Sequence, residues 1–158
     1  MFHTEERFAK FWKLEIPVHL KKFPWIFQKN LQLWIFPQYR NIDPSYDQKT
    51  FDPQDRQNRW QSLVSPQGGN GSPEVSNAGV KINQQAYIDR VDLSAGKQLD
   101  YKLRDQQNGV YFFLLNGEVE IGEHKLMTRD AFGVWDTSSL QITSVQDSDL
   151  LAIEVPMD

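Results

Sequence analysis

From residue 110 to residue 155 the chain is a series of apolar runs of strand length, separated by turn residues at short, even spacing. Val110-Tyr111-Phe112-Phe113-Leu114-Leu115 is continuously apolar, and Asn116-Gly117 after it predicts a tight type I′ hairpin. Glu118-Val119-Glu120-Ile121 alternates strictly and ends at Gly122-Glu123. Further runs follow at 125–127, 132–135, 140–145 and 150–155, parted by Arg129-Asp130, Asp136-Thr137-Ser138-Ser139 and Gln146-Asp147-Ser148-Asp149. No window here supports a long amphipathic helix. The pattern predicts an all-β fold, an antiparallel sandwich or barrel.

Upstream, Trp60 to Val64, Val80 to Ile82, Ala86 to Leu93 and Leu99 to Leu103 read as strands, and Leu31-Gln32-Leu33-Trp34-Ile35-Phe36 as an early strand stopped by Pro37. Residues 38–58 are polar and punctuated by prolines, and Tyr39, Tyr46 and Phe51 are expected to pin this linker to the surface. Gln67-Gly68-Gly69-Asn70-Gly71-Ser72-Pro73 is a loop tip, without the Gly-Lys-Ser/Thr of a phosphate cradle. Residues 1–30 form an atypical N-terminal segment. Phe8, Phe11, Trp12 and Glu15 stand at helical spacing before Pro17, and a basic, aromatic stretch follows from Lys21 to Phe27.

A length of 158 residues suits one domain with an appendage. The net charge of -4, with no basic stripe, argues against nucleic acid as a partner. With no cysteine, disulfides, thiolate nucleophiles and cysteine-held metals are excluded. Glu5, Glu6 and Arg7 precede any apolar run, and no stretch reaches the length of a membrane span, so a cytoplasmic location away from membranes is expected. The histidines, at 3, 19 and 124, never form a His-x-His or His-x-x-x-His pair. Ser94, Ser138 and Ser139 lack a neighbouring histidine for nucleophilic catalysis. Lys102 and Arg104 share one strand face, ordinarily a solvated one, which would attract an anion if turned inward.

Three segments, Leu-Gln-Leu-Trp-Ile-Phe-Pro at 31–37, residues 114–136 and residues 150–156, resemble in that order the C-terminal cupin of the pirin family, the two-cupin relatives of quercetin 2,3-dioxygenases. The resemblance covers residues 31–158 and implies a cupin-type jelly-roll barrel with an atypical N-terminal extension. In that family a metal, usually iron, is held in the N-terminal cupin by a His-x-His and a later His-x-Glu pair, a donor set that leaves open positions on the ion. Phe2-His3-Thr4-Glu5 resembles the second pair, which makes His3 and Glu5 vestigial metal ligands. The cupin that is present places no histidine on residues 99–104 or 138–140, and an apolar Val110 stands at its glutamate position. The expectation is therefore a pirin-like module without catalytic residues or cofactor, acting in ligand binding or protein interaction and assembly. The alternative is a quercetin 2,3-dioxygenase-like oxidoreductase whose iron or other divalent transition metal is completed by another chain. A relic without selected activity is a third reading. Tyr101, Phe112 and Trp135 are candidate liners of a pocket, or plain core. The face left for a partner domain predicts cover by residues 1–30, a homodimer, or both.

Overall fold

The computed structural model describes residues 31–67 and 79–157. It divides into two units, Met1–Phe36 and Pro37–Asp158. In the first, the described residues 31–36 carry no strand, although Leu31, Leu33 and Ile35 are less exposed than Gln32, Trp34 and Phe36. Alternation sorts side chains, but a strand also needs a neighbour for its N–H and C=O groups, and the pattern cannot supply one.

Among the described residues of the second unit ten strands form two sheets: β1 (Gln61–Pro66), β2 (Val80–Ile82), β3 (Tyr87–Leu93), β4 (Gln98–Lys102), β5 (Asn108–Asn116), β6 (Glu118–Ile121), β7 (His124–Met127), β8 (Ala131–Val134), β9 (Ser139–Ser144) and β10 (Ser148–Pro156). The larger sheet has the order β2-β1-β3-β10-β5-β8 and the smaller β4-β9-β6-β7. The helical content of the described residues is a 3₁₀ turn at Pro53–Arg56, capped by the Asp52 carboxylate, which accepts from Gln54 N.

Among the described residues each sheet ends in two edge strands, β2 and β8 in the larger and β4 and β7 in the smaller, and no ladder joins one sheet to the other. This overturns the closed cupin-type jelly-roll barrel: the strands make two open sheets. The larger sheet is also mixed rather than purely antiparallel, because β1 and β2 pair in parallel with Val64 opposite Val80. The physical reason is that a sandwich and a barrel both present inward and outward residues with period two. Closure depends on edge-to-edge hydrogen bonds, which that period does not encode.

The type I′ hairpin at Asn116-Gly117 is likewise corrected. β5 pairs with β10 and β8, whereas β6 pairs with β7 and β9, so this dipeptide carries the chain from one sheet to the other. Gly117 has φ +99 while Asn116 is not in the positive region, and a type I′ turn needs both. Gly122-Glu123 closes the true hairpin, β6 to β7, with Ile121 opposite His124 and positive φ at Gly122 alone, as in a type II′ loop.

Val91, Leu93, Val110, Phe112, Leu114, Leu150 and Ala152 from the larger sheet meet Tyr101, Val119, Ile121, Leu126 and Ile142 from the smaller in one buried cluster. A fully buried side chain of this size contributes about 1.5–3 kcal/mol through loss of apolar surface from water. Tyr39 and Tyr46 do not pin the linker: they are 68% and 86% exposed. Backbone and ionic contacts hold it instead. Gln38 N donates to Asn83 O at 2.8 Å, and Arg56 Nε donates to Asp92 Oδ2 at 2.8 Å.

Candidate functional site

On β3 the parity that sends Val91 and Leu93 into the core also sends Asp89 inward, and on β10 the parity of Leu150 and Ala152 does the same for Glu154. Both carboxylates are 0% exposed. Tyr101, inward on β4, sets its hydroxyl 3.0 Å from Asp89 Oδ2 and 3.0 Å from Glu154 Oε2. A phenol has one proton, so it donates to one carboxylate at a time. Arg104, two residues beyond β4, turns in over this cluster. Its Nη1 donates to Tyr101 Oη at 2.7 Å and to Glu154 Oε2 at 3.0 Å, and lies 2.7 Å from Asp89 Oδ2. Its Nη2 donates to Asp89 Oδ1 at 3.1 Å. Glu154 Oε1 accepts from Arg104 N and Asn108 Nδ2, each at 2.7 Å.

The guanidinium lies over the Tyr87 ring, 4.4 Å from its centroid, which adds a cation–π contact. Arg104 Nε is buried without a partner. Burial opposes the charge on Arg104, but Tyr101, Asp89 and Glu154 together outweigh it, and its pKa stands above the ordinary value. Burial, with the Asp89 and Glu154 charges, holds the Tyr101 hydroxyl well above the ordinary tyrosine range, so it remains a phenol at neutral pH.

Burial also raises the Asp89 pKa, and Arg104 opposes the rise without cancelling it. Folded Asp89 therefore keeps its proton to higher pH than the unfolded chain does. Between those two values the folded state binds more protons, so stability falls as pH rises through that window, starting from the ordinary aspartate range. An Asp89→Asn variant is expected to lose that part of the pH dependence. Urea midpoints of both proteins across mildly acidic pH test it, and parallel profiles would reject the assignment.

Tyr101 joins this cluster to an aromatic group. Its ring centroid is 5.0 Å from that of Trp60 and 5.5 Å from that of Phe112, both edge to face, an arrangement the ring quadrupoles favour. Above them opens a cleft of about 470 Å³ whose lining includes Trp60, Leu99, Tyr101, Asp89 and Arg104. Of the sequence candidates, Tyr101 lines this cleft, Phe112 is 0% exposed in the core, and Trp135 is half-buried just past β8, outside the lining. His3 and Glu5 lie outside the described residues. His124 is exposed, its ring 4.3 Å from that of Phe132. Sequence reasoning missed Asp89 and Glu154 and left Arg104 on a solvated face. The available signal was an acid on the inward parity of two otherwise apolar strands.

The described residues do not fit a transition metal. They hold no group of three or more histidine, cysteine, aspartate or glutamate side chains placed for one. The two interior carboxylates already have a cation between them, the Arg104 guanidinium. No helix among the described residues is long and apolar enough to cross a membrane.

The family model "Quercetinase C-terminal cupin domain" matches residues 63–155. A putative quercetin 2,3-dioxygenase of Pseudomonas aeruginosa is 30% identical over 124 residues, covering 78% of this chain and 50% of its own length. Quercetin 2,3-dioxygenase of Escherichia coli K12 is 27% identical over 125 residues, covering 79% and 49%. Among solved structures, the bacterial pirin YhhW of Escherichia coli in complex with nickel(II) superposes with a TM-score of 0.65 at 25% identity, over 78% of this chain and 49% of that one. The chain thus spans about half the length of the curated relatives it matches. With the match running from the middle of β1 to the end of β10, this chain belongs to the pirin-like, quercetin 2,3-dioxygenase-related family, through that family's C-terminal cupin domain.

Proposed function

We propose that the chain serves as one half of a quercetin 2,3-dioxygenase-like, metal-dependent oxidoreductase, its metal site completed by another chain. The observation that carries this reading is the pairing of two facts. Relatives named quercetin 2,3-dioxygenases match over most of this chain but half of their own length, and the two fully buried carboxylates of the sheets described here, Asp89 and Glu154, are bound to Arg104. The ion is then held outside these sheets, with His3 and Glu5 contributing and a second subunit, in the simplest case another copy in a homodimer, supplying the rest. The two sheets act as the scaffold against which that site is held.

The test uses the full chain. After loading with nickel(II) or iron(II) and removal of free ion, bound metal is measured by mass spectrometry and quercetin loss by absorbance. Bound metal and quercetin consumption that both fall in His3→Ala support the reading. A chain that takes up neither ion and leaves quercetin intact overturns it. The latter result would favour a non-catalytic module of ligand binding or protein assembly, a reading supported by the guanidinium already bound to both interior acids.

A further inference from the structure

The aromatic group beside the cleft joins rings that differ in what they can give up. Phe112, 0% exposed, holds its electrons too tightly for one-electron chemistry. Trp60 and Tyr101 carry an indole and a phenol, the ring side chains most readily oxidised by one electron. Their centroids lie 5.0 Å apart, edge to face. Electron tunnelling weakens steeply with distance, so two rings in contact exchange an electron rapidly. Trp60 is the half-buried member and lines the cleft, where its indole Nε1 donates to Asp100 O at 3.0 Å and fixes the ring against β4. Tyr101, at 2% exposure, is nearly shut off from solvent.

The hydrogen bonds of Tyr101 add the second requirement. Losing an electron turns a phenol into a strong acid, so the step is easy only where a base takes the proton at the same time. Tyr101 has two within reach: Oη is 3.0 Å from Asp89 Oδ2 and 3.0 Å from Glu154 Oε2, and it donates to one of them at a time. With electron and proton gone together the ring stays neutral, which a low-dielectric interior tolerates far better than a cation. Arg104 Nη1 donates to the same Oη at 2.7 Å, so the oxygen keeps a partner after its proton has left. Both carboxylates are 0% exposed, and the proton is held beside the oxygen that released it, ready to return. Tyr46 shows the contrast. It is 86% exposed, and its hydroxyl donates to the Gln48 amide oxygen, a far weaker base.

We propose that Trp60 and Tyr101 form a one-electron redox site, in which Trp60 meets a small one-electron oxidant in the cleft and Tyr101 stores the oxidising equivalent as a neutral phenoxyl radical. The oxidant takes one electron from the indole and leaves an indole radical cation. Tyr101 returns one electron to Trp60 while its Oη proton passes to Asp89 Oδ2 or Glu154 Oε2. The products are the oxidant reduced by one electron, an intact indole, a phenoxyl radical and a carboxylic acid. The inference stands whichever reading of the whole chain holds, because it uses no metal and none of residues 1–30.

The probe is the azide radical, a small one-electron oxidant that reacts preferentially with indoles, generated by pulse radiolysis in a solution of the full chain. Transient absorption follows the indole radical as it decays and the phenoxyl radical as it grows. A fast phase in which the first feeds the second is expected, lost in Trp60→Phe and in Tyr101→Phe. The same phase is expected to slow in heavy water, because a proton moves with the electron. Both replacements keep a ring in the aromatic group, and melting temperatures show whether each variant folds. Should Tyr101→Phe fail to fold, Trp60→Phe and the heavy-water comparison decide. A parent without the fast phase, its survival in either folded variant, or equal rates in light and heavy water would each overturn the proposal.

Discussion

Arg104→Met is expected to destabilise the fold by about 3–5 kcal/mol, the usual consequence of removing one partner from a buried ionic set. The replacement keeps an unbranched apolar stem of similar length and deletes the charge. It leaves Asp89 and Glu154, both 0% exposed, with the Tyr101 phenol, the Asn108 amide and the backbone N–H of residue 104, and no cation, between them. Two carboxylates in a low-dielectric interior cannot both stay ionised without a cation, so the fold must either retain an extra proton or open. Arg104→Lys is expected to recover little, because one ammonium cannot reproduce the contacts that Nη1 and Nη2 make to Asp89 and Glu154 together. The diagnostic variant is the double change Asp89→Asn with Arg104→Met. Removing one of the acids relieves the strain that removing the cation creates, so the pair should be less destabilised than the sum of its parts. Urea unfolding of the four proteins provides the measurement. A single Arg104→Met whose stability stays within about 1 kcal/mol of the parent would mean the guanidinium is replaceable by water, against its 12% exposure.

The strands were readable because each carries its own apolar run or alternation, and all ten stand where the pattern predicts them from Trp60 onward. Their pairing was not readable. Asn116-Gly117 has hairpin composition, yet β5 and β6 lie in different sheets, because β5 is held along its length by β10, which arrives later in the chain. Such non-local pairing leaves no mark on a dipeptide. The site shows the same division. Tyr101 was visible as an inward ring on an alternating strand. Arg104 was not, because it lies beyond the end of β4, where period two no longer says which way a side chain turns. Its direction is set by Asp89 and Glu154, acids 15 and 50 residues away. The family resemblance carried by residues 114–136 and 150–156 falls on β5 to β8 and β10, the strands that build the shared core. For that reason it identified the family, while the closed jelly-roll barrel it implied is overturned by the two open sheets.

The passage between the two sheets supplies the second large effect. Gly117→Ala is expected to cost about 2–5 kcal/mol, combining the penalty of an L-residue at positive φ with that of forcing atoms into occupied space. At φ +99 the backbone sits where a β-carbon is disfavoured from the start. A β-carbon there would also stand 2.5 Å from Asp147 O and 2.7 Å from Ser148 Cα, and against Ser148 Oγ as well. Two of these neighbours are backbone, and the third is tied down, since Ser148 Oγ donates to Glu118 O and accepts from Glu118 N, both at 3.1 Å. None can yield without moving the start of β10, whose ladders to β3 and β5 hold the larger sheet together. Gly122→Ala is the matched control. Its φ is also positive, at +60, but a β-carbon there meets nothing within 4 Å, so only the conformational penalty of about 1–2 kcal/mol applies. Denaturant midpoints of the two variants separate the contributions. Equal losses would show that conformation alone sets the cost and that the corner has slack. A Gly117→Ala loss well beyond that of Gly122→Ala would show that the chain changes sheets through a passage with room for a hydrogen and nothing larger.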